Sequence, residues 1–185
     1  ARAAAETGLP EGATVVMGAS DSAVEGYASG AVEPGQCVLK LATAGNVNVM
    51  TSKPIPHPET LTYSHVVPGM WYTVTATSAA AICQRWYRDL FCGAEKVEAD
   101  RLGVNVYERL NQLAAASPIG SNGVFFHPYL MGERSPYWDP NLRGSFTGLS
   151  MATSKGDTAR ALLEGVAFSL RDCYRTIEAM KLEAR

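Results

Sequence analysis

An α/β or α+β domain with a mixed sheet is the architecture this sequence predicts, and three patterns predict it. β-rich runs crowd the first half of the chain, helical spacings dominate the second, and one further apolar run at residues 123–127 is set among those helices. The length fits one ordinary domain with a real core: 185 residues, 46% hydrophobic and 18% charged, a composition too rich in packing residues for a disordered chain.

The elements follow in order. Residues 14–18 (T-V-V-M-G) form a short apolar run ending in small residues, which predicts a buried strand opening into a tight turn. A helix comes next, with Ser22 and Glu25 spaced as a capping box. Residues 37–41 and 46–51 are β-rich and are split by Ala42, Thr43, Ala44 and Gly45, a hairpin with a small-residue turn. A further strand pair is expected over 61–67 and 71–75, turning at Pro68 and Gly69. Residues 79–91 place Ile82, Trp86 and Leu90 on one helical stripe, with Gly93 as its stop, and a second helix is expected over 104–116. After the strand at 123–127 comes a long loop, 128–143, dense in Pro, Gly and aromatics, a length that usually signals function. Ser154 and Asp157 then open a long helix carrying Leu162, Val166, Leu170 and Ile177.

Composition excludes several classes. A net charge of −2 with no clustered Lys and Arg disfavours nucleic-acid partners. No apolar run approaches the roughly 18 residues that span a bilayer. The start, Ala1-Arg2-Ala3, reads as a cut inside a longer protein. Cys37, Cys83, Cys92 and Cys173 lack C-x-x-C or zinc spacing, so they predict reduced, mostly buried thiols in a cytoplasmic protein. His57, His65 and His127 are isolated, and no metal is assigned to the chain.

Three places could carry chemistry. Asp21 stands where a predicted strand yields to a helix; it either caps that helix or projects into a cleft, where a carboxylate can take a hydroxyl proton during phosphoryl transfer. The turn Ala42-Thr43-Ala44-Gly45 lets backbone N–H groups approach phosphate oxygens, although most such turns only connect strands. The helix start at residues 78–81 is small enough to admit a ligand or simply to pack. In the long loop, Glu133 and Arg134 beside Gly132 suggest a rigid segment pinned by one of the two charges.

Residues 124–136, V-F-F-H-P-Y-L-M-G-E-R-S-P, resemble the F-x-P-Y-L-x-G-E-R-x-P segment of the FGGY carbohydrate kinases, and residues 143–149, R-G-S-F-T-G-L, are similar to the G-x-F-x-G-L that follows it. Residues 157–168 resemble the family's A-R-A-V-L-E-G-V-A-F helix, residues 17–21 its A-G-G-G-D turn, and residues 39–45 its L-S-L-G-T-S-G hairpin. The motifs run in family order over nearly the whole chain, nearest to the xylulokinase-like members.

The resemblance implies an actin-like (ribonuclease-H-like) ATPase domain, the C-terminal nucleotide-binding part of an ATP-dependent kinase for a pentulose such as xylulose. It makes Asp21 the catalytic base, with Ser22 beside it where some relatives contact substrate. Thr43 and Gly45 would approach the phosphates of ATP, and Ala81 and Arg85 would contact the nucleotide, with Mg2+ carried in on it. A homodimer is left open. Ala19, Ser20, Ala42 and Ala44 depart from the family's smaller or hydroxyl-bearing residues, and Thr158 stands where an apolar residue is common. Relatives also have an N-terminal sugar-binding domain and a later adenine-binding segment, so the chain alone is expected to be inactive. A non-catalytic actin-like nucleotide-binding module is the alternative. A serine hydrolase built on Ser20 or Ser22 with His127 is a third, weakened by the lack of a G-x-S-x-G elbow.

Overall fold

A computed structural model describes residues 1–185. Its centre is a sheet of strands β1 (Cys37–Leu41), β2 (Gly45–Thr51), β3 (Leu61–Ser64) and β4 (Trp71–Thr77), in the order β1-β2-β4-β3. The β1–β2 hairpin pairs Leu41 with Gly45 across the turn, and β4 runs back along β2 from Thr51↔Trp71 to Gly45↔Thr77.

Side chains alternate between the two faces of a strand, and that alternation builds two cores. Val47 and Val49 point to one face, against Cys173 and Ile177 of the long helix. Met50, Tyr72, Val74 and Ala76 point to the other, where Ala23 and Ala31 cover them. Ala23 lies on α2 (Asp21–Ala28), which follows a short α1 (Arg2–Thr7).

The second half is helical: α3 (Ala81–Phe91), α4 (Gly93–Leu102), α5 (Val106–Ala116) and α6 (Lys155–Ala179), with a 3-10 turn at Ser121–Gly123 and a two-stranded ladder of β5 (Phe125–His127) and β6 (Ser145–Thr147). The largest core joins these parts through Cys83, Tyr87, Leu110, Phe126, Leu162 and Leu170. The expected stripe of α6 is met in full, since Leu162, Val166, Leu170 and Ile177 are all buried. Its capping box is also formed: the Ser154 hydroxyl accepts from the Asp157 N–H, and the Asp157 carboxylate accepts from the Ser154 N–H. Thr158, the departure from an apolar position, bonds the Tyr87 hydroxyl at 2.7 Å and so keeps its polar atom satisfied inside the packing.

Several expectations are corrected. Where a mixed sheet was expected, every strand pair in the two sheets is antiparallel: β1–β2 and β3–β4 are hairpins, β4 lies between β2 and β3 and runs against both, and β5, the strand delivered by the helical crossover, pairs with β6 instead. Residues 14–18 form no strand: Val15, Val16 and Met17 are 92%, 79% and 98% exposed, and a β-prone run needs a partner ladder that these 185 residues do not supply. The cap of α2 is Ser20, whose hydroxyl accepts from the Ala23 N–H, while Glu25 turns away to pair with Lys40 of β1. The buried stripe of α3 is Cys83 and Tyr87, one residue round from the expected one, and Leu90 is exposed, because the contact with α6 and β5 sets the helix's rotation. Gly93 opens α4 rather than ending the helical region, and the left-handed stop is Gly103.

Candidate functional site

The hairpin tip between β1 and β2 is docked on the start of α3. Helix α3 has no side-chain cap; instead the Ala80 and Ala81 N–H groups donate to the carbonyls of Thr43 and Ala42 at 2.9 and 2.8 Å, and the Ile82 N–H reaches Thr43 at 3.4 Å. The unsatisfied donors that any helix start presents are therefore consumed by the tip. The helix start at residues 78–81 is thus packed against the tip, with Ala81 itself exposed beside it.

Docking through carbonyls leaves the tip's donors outward. The N–H groups of Thr43 and Ala44 bond to no protein acceptor, and Thr43 is exposed. Two adjacent amides without a protein acceptor, with a hydroxyl on the same exposed residue, are groups that can donate to an anion. Ala81 and Arg85 are exposed one helical turn apart on α3, beside it. Gly45 has a different duty: it is buried, and a Cβ there would lie 2.8 Å from Leu170 Cδ2 and 3.2 Å from Ala80 Cβ. Its missing side chain lets the hairpin root close on α6 and α3.

A hollow of about 560 Å3 opens next to the tip, lined chiefly by apolar groups including Leu39, Leu41, Ala81, Leu163, Val166 and Tyr174.

Behind the tip, Glu133 is buried, with 5% of the residue exposed. It accepts from Thr77 Oγ1 at 2.6 Å, the Ser78 N–H at 2.7 Å and the Arg134 N–H at 2.7 Å. The expectation that a charge pins this loop is met, and Glu133 is that charge. Burial, with the Glu133 charge adding, pushes the thiols of Cys83 and Cys173 up to about 12, so both stay protonated. All four cysteines are free.

Asp21 is the first residue of α2 and is exposed, its carboxylate accepting from the Ser22 N–H at 2.8 Å. The cap duty falls to Ser20, which also bonds the Tyr72 hydroxyl at 3.0 Å. Burial raises the Tyr72 hydroxyl above its ordinary range; the Ser20 bond opposes that rise, and the charges of Tyr63 and Asp21 add to it. Tyr72, which anchors α2, was not among the residues singled out from the sequence, although its place opposite Met50 in the strand alternation was available. Thr43, Gly45 and Ala81 are thus gathered at one docked tip, with Arg85 a turn away. Asp21 and Ser22 form a second group on α2, and no hydrogen bond joins the two groups. The link on that side is Glu25 to Lys40, which stands across from Asn46, next to the tip.

His127 Nδ1 lies 3.0 Å from Ser145 Oγ across the β5–β6 ladder, so it serves neither Ser20 nor Ser22 and the hydrolase triad is not assembled. No cluster of three or more His, Cys, Asp or Glu side chains could ligate a metal, and no helix is long and apolar enough to cross a membrane.

The chain is similar in sequence and in fold to known proteins. The chain is 34% identical over 168 residues to a gluconokinase of Bacillus subtilis, covering 90% of this chain and 33% of that protein. It is 34% identical over 174 residues to a xylulose kinase of Staphylococcus epidermidis, covering 93% and 33%. The crystal structure of xylulose kinase from Rhodospirillum rubrum superposes with a TM-score of 0.80 at 32% identity, covering all of this chain and 36% of that one. The chain therefore spans about a third of the length of the relatives it matches, and its fold is the actin-like, ribonuclease-H-like α/β fold of these kinases. Residues 38–184 match the FGGY family of carbohydrate kinases, C-terminal domain, and the chain belongs to that family.

Proposed function

We propose that the chain is the nucleotide-binding part of an ATP-dependent kinase that phosphorylates a sugar hydroxyl, with a pentulose such as xylulose as the acceptor. The observation that carries this is the docked tip: two free amides and the Thr43 hydroxyl stand beside an apolar hollow that shares Ala81 with the docking helix. Amides suit phosphate oxygens, and an apolar hollow of this size suits a purine. The residues fit ATP, with Thr43 and Ala44 meeting the phosphates and Arg85 adding a cation within one turn of Ala81. Mg2+ would neutralise charge on the phosphates and would come bound to them. We take residues 1–37 to belong with the same domain, and the protein to act in the cytoplasm.

In this mechanism the tip orients the phosphate chain, and the Asp21 carboxylate accepts the proton of the attacking hydroxyl as the phosphoryl group transfers. Ser22, one residue on, supports the acceptor. Phosphoryl transfer depends almost wholly on positioning and charge stabilisation. The 185-residue chain by itself should turn over negligibly, and robust coupled-assay turnover by it would contradict that. In the full-length protein Asp21→Asn should abolish sugar phosphorylation while leaving ATP binding largely intact; normal turnover would remove Asp21 from its role. The gluconokinase relatives, as similar as the xylulose kinases, favour gluconate as a second acceptor. A panel of xylulose, gluconate and other sugars with ATP separates the two. Nucleotide binding without turnover on any of them would favour a non-catalytic module.

A further inference from the structure

We infer that Glu133 is a positioning residue for the phosphate-binding tip, an inference that rests on the nucleotide reading of Thr43 above. Glu133 lies 90 residues from Thr43 in sequence, and the connection between them is a chain of bonds. Its carboxylate holds Thr77 through the hydroxyl and Ser78 through the N–H. Thr77 is the last residue of β4 and is paired with Gly45, the first residue of β2. Two residues past Ser78, the Ala80 and Ala81 N–H groups hold the carbonyls of Thr43 and Ala42. The β4–α3 corner thus fixes both the root and the crown of the hairpin, and Glu133 fixes the corner.

The choice of a carboxylate supports this over simple loop pinning. A buried charge is costly unless its oxygens are hydrogen-bonded, and a neutral side chain could hold a loop at lower cost. Here each oxygen is used: Oε2 takes the Thr77 hydroxyl, while Oε1 takes two N–H groups, one from the corner and one from its own loop. Glutamine has one accepting oxygen: kept on the two N–H groups, it leaves an N–H2 facing Thr77 Oγ1, which must reverse from donor to acceptor while every bond loses its charge assistance, and turned the other way it sets the N–H2 against the two N–H donors. A corner released by that mismatch carries the tip with it, because the α3 start has no side-chain cap to hold it otherwise.

The test follows MgADP binding to the full-length protein by calorimetry and the amides of the 185-residue chain by NMR. Glu133→Gln is expected to weaken MgADP binding about tenfold, the loss expected from one charge-assisted hydrogen bond, and to shift the amide resonances of Thr43, Ala44, Ala80 and Ala81 in the absence of nucleotide. Thr77→Val, which removes one donor and keeps the carboxylate, should move the same amides less. Ile177→Val, a core variant remote from the tip, should lower thermal stability and leave both readouts alone. Unchanged Thr43 and Ala44 amides in both Glu133→Gln and Thr77→Val, or MgADP affinity equal to or tighter than wild type, would overturn the inference. If the wild-type full-length protein binds no MgADP, the nucleotide reading fails, and the apo amide shifts still decide whether Glu133 positions the tip.

Discussion

Gly165 lies in the interior of α6, where helix propensity alone recommends alanine: glycine there costs about 1 kcal/mol. The structure predicts the opposite sign. A Cβ at Gly165 would stand 2.2 Å from the carbonyl oxygen of Phe126 and 3.1 Å from its Cβ. A carbon and a carbonyl oxygen ordinarily approach no closer than roughly 3.3 Å, so α6 and β5 would have to separate by about 1 Å. The obstructing atom is backbone, held in the ladder with β6, and cannot swing aside as a side-chain tip could. Overpacking of this severity costs about 3 kcal/mol, and after the propensity gain Gly165→Ala should destabilise by about 2 kcal/mol. For a domain of this size that lowers Tm by roughly 4–8 °C. Gly26→Ala is the matched control: its Cβ would make ordinary contact, 3.5 Å from Met50 Cε, so it should gain up to about 1 kcal/mol. Circular dichroism during urea and thermal unfolding measures both. A Gly165→Ala chain as stable as wild type would refute the close approach of α6 to β5, and with it the placement of the loop that carries Glu133.

Other consequences are as direct. Four donors, the Ser117 hydroxyl first and then the Ser154 N–H, the Ser154 hydroxyl and the Asn122 side-chain N–H2, hold the Asp157 carboxyl down to about 2 from 3.8, so its stabilising contribution is complete above pH 4 and is lost as pH falls toward 2. Asp157→Asn should flatten that acid limb in a pH series of urea midpoints, and an unchanged limb would contradict the hydrogen-bond assignment. Thr43→Val keeps the tip's amides and removes its hydroxyl, so nucleotide affinity in the full-length protein should fall several-fold, up to about tenfold, with stability nearly constant; unaltered affinity would leave Thr43 without a ligand role. Iodoacetamide at pH 8 should label the half-buried Cys37 before Cys83 and Cys173, and equal native-state rates would argue against their burial.

Much of this protein was legible in its sequence where local chemistry decides the outcome. The β1–β2 hairpin, the capping box of Ser154 and Asp157 and the apolar stripe of α6 each depend on residues within a few positions of one another, or on a period that one strand or helix carries alone. The motifs at residues 124–136 and 143–149 added the family, because their spacing survives along a whole chain. What only the tertiary structure decided are the matters that need a partner far away in sequence. Residues 14–18 have a strand's composition and no ladder to join. The rotation of α3 follows from contacts with α6 and β5, and its first N–H groups are spoken for by the hairpin tip rather than free for a ligand. Gly45 is a glycine for packing against Leu170 and Ala80, and Glu133 reaches Thr77 across 56 residues. Secondary structure answers to neighbours along the chain, whereas a binding tip is shaped by whatever the fold brings up behind it.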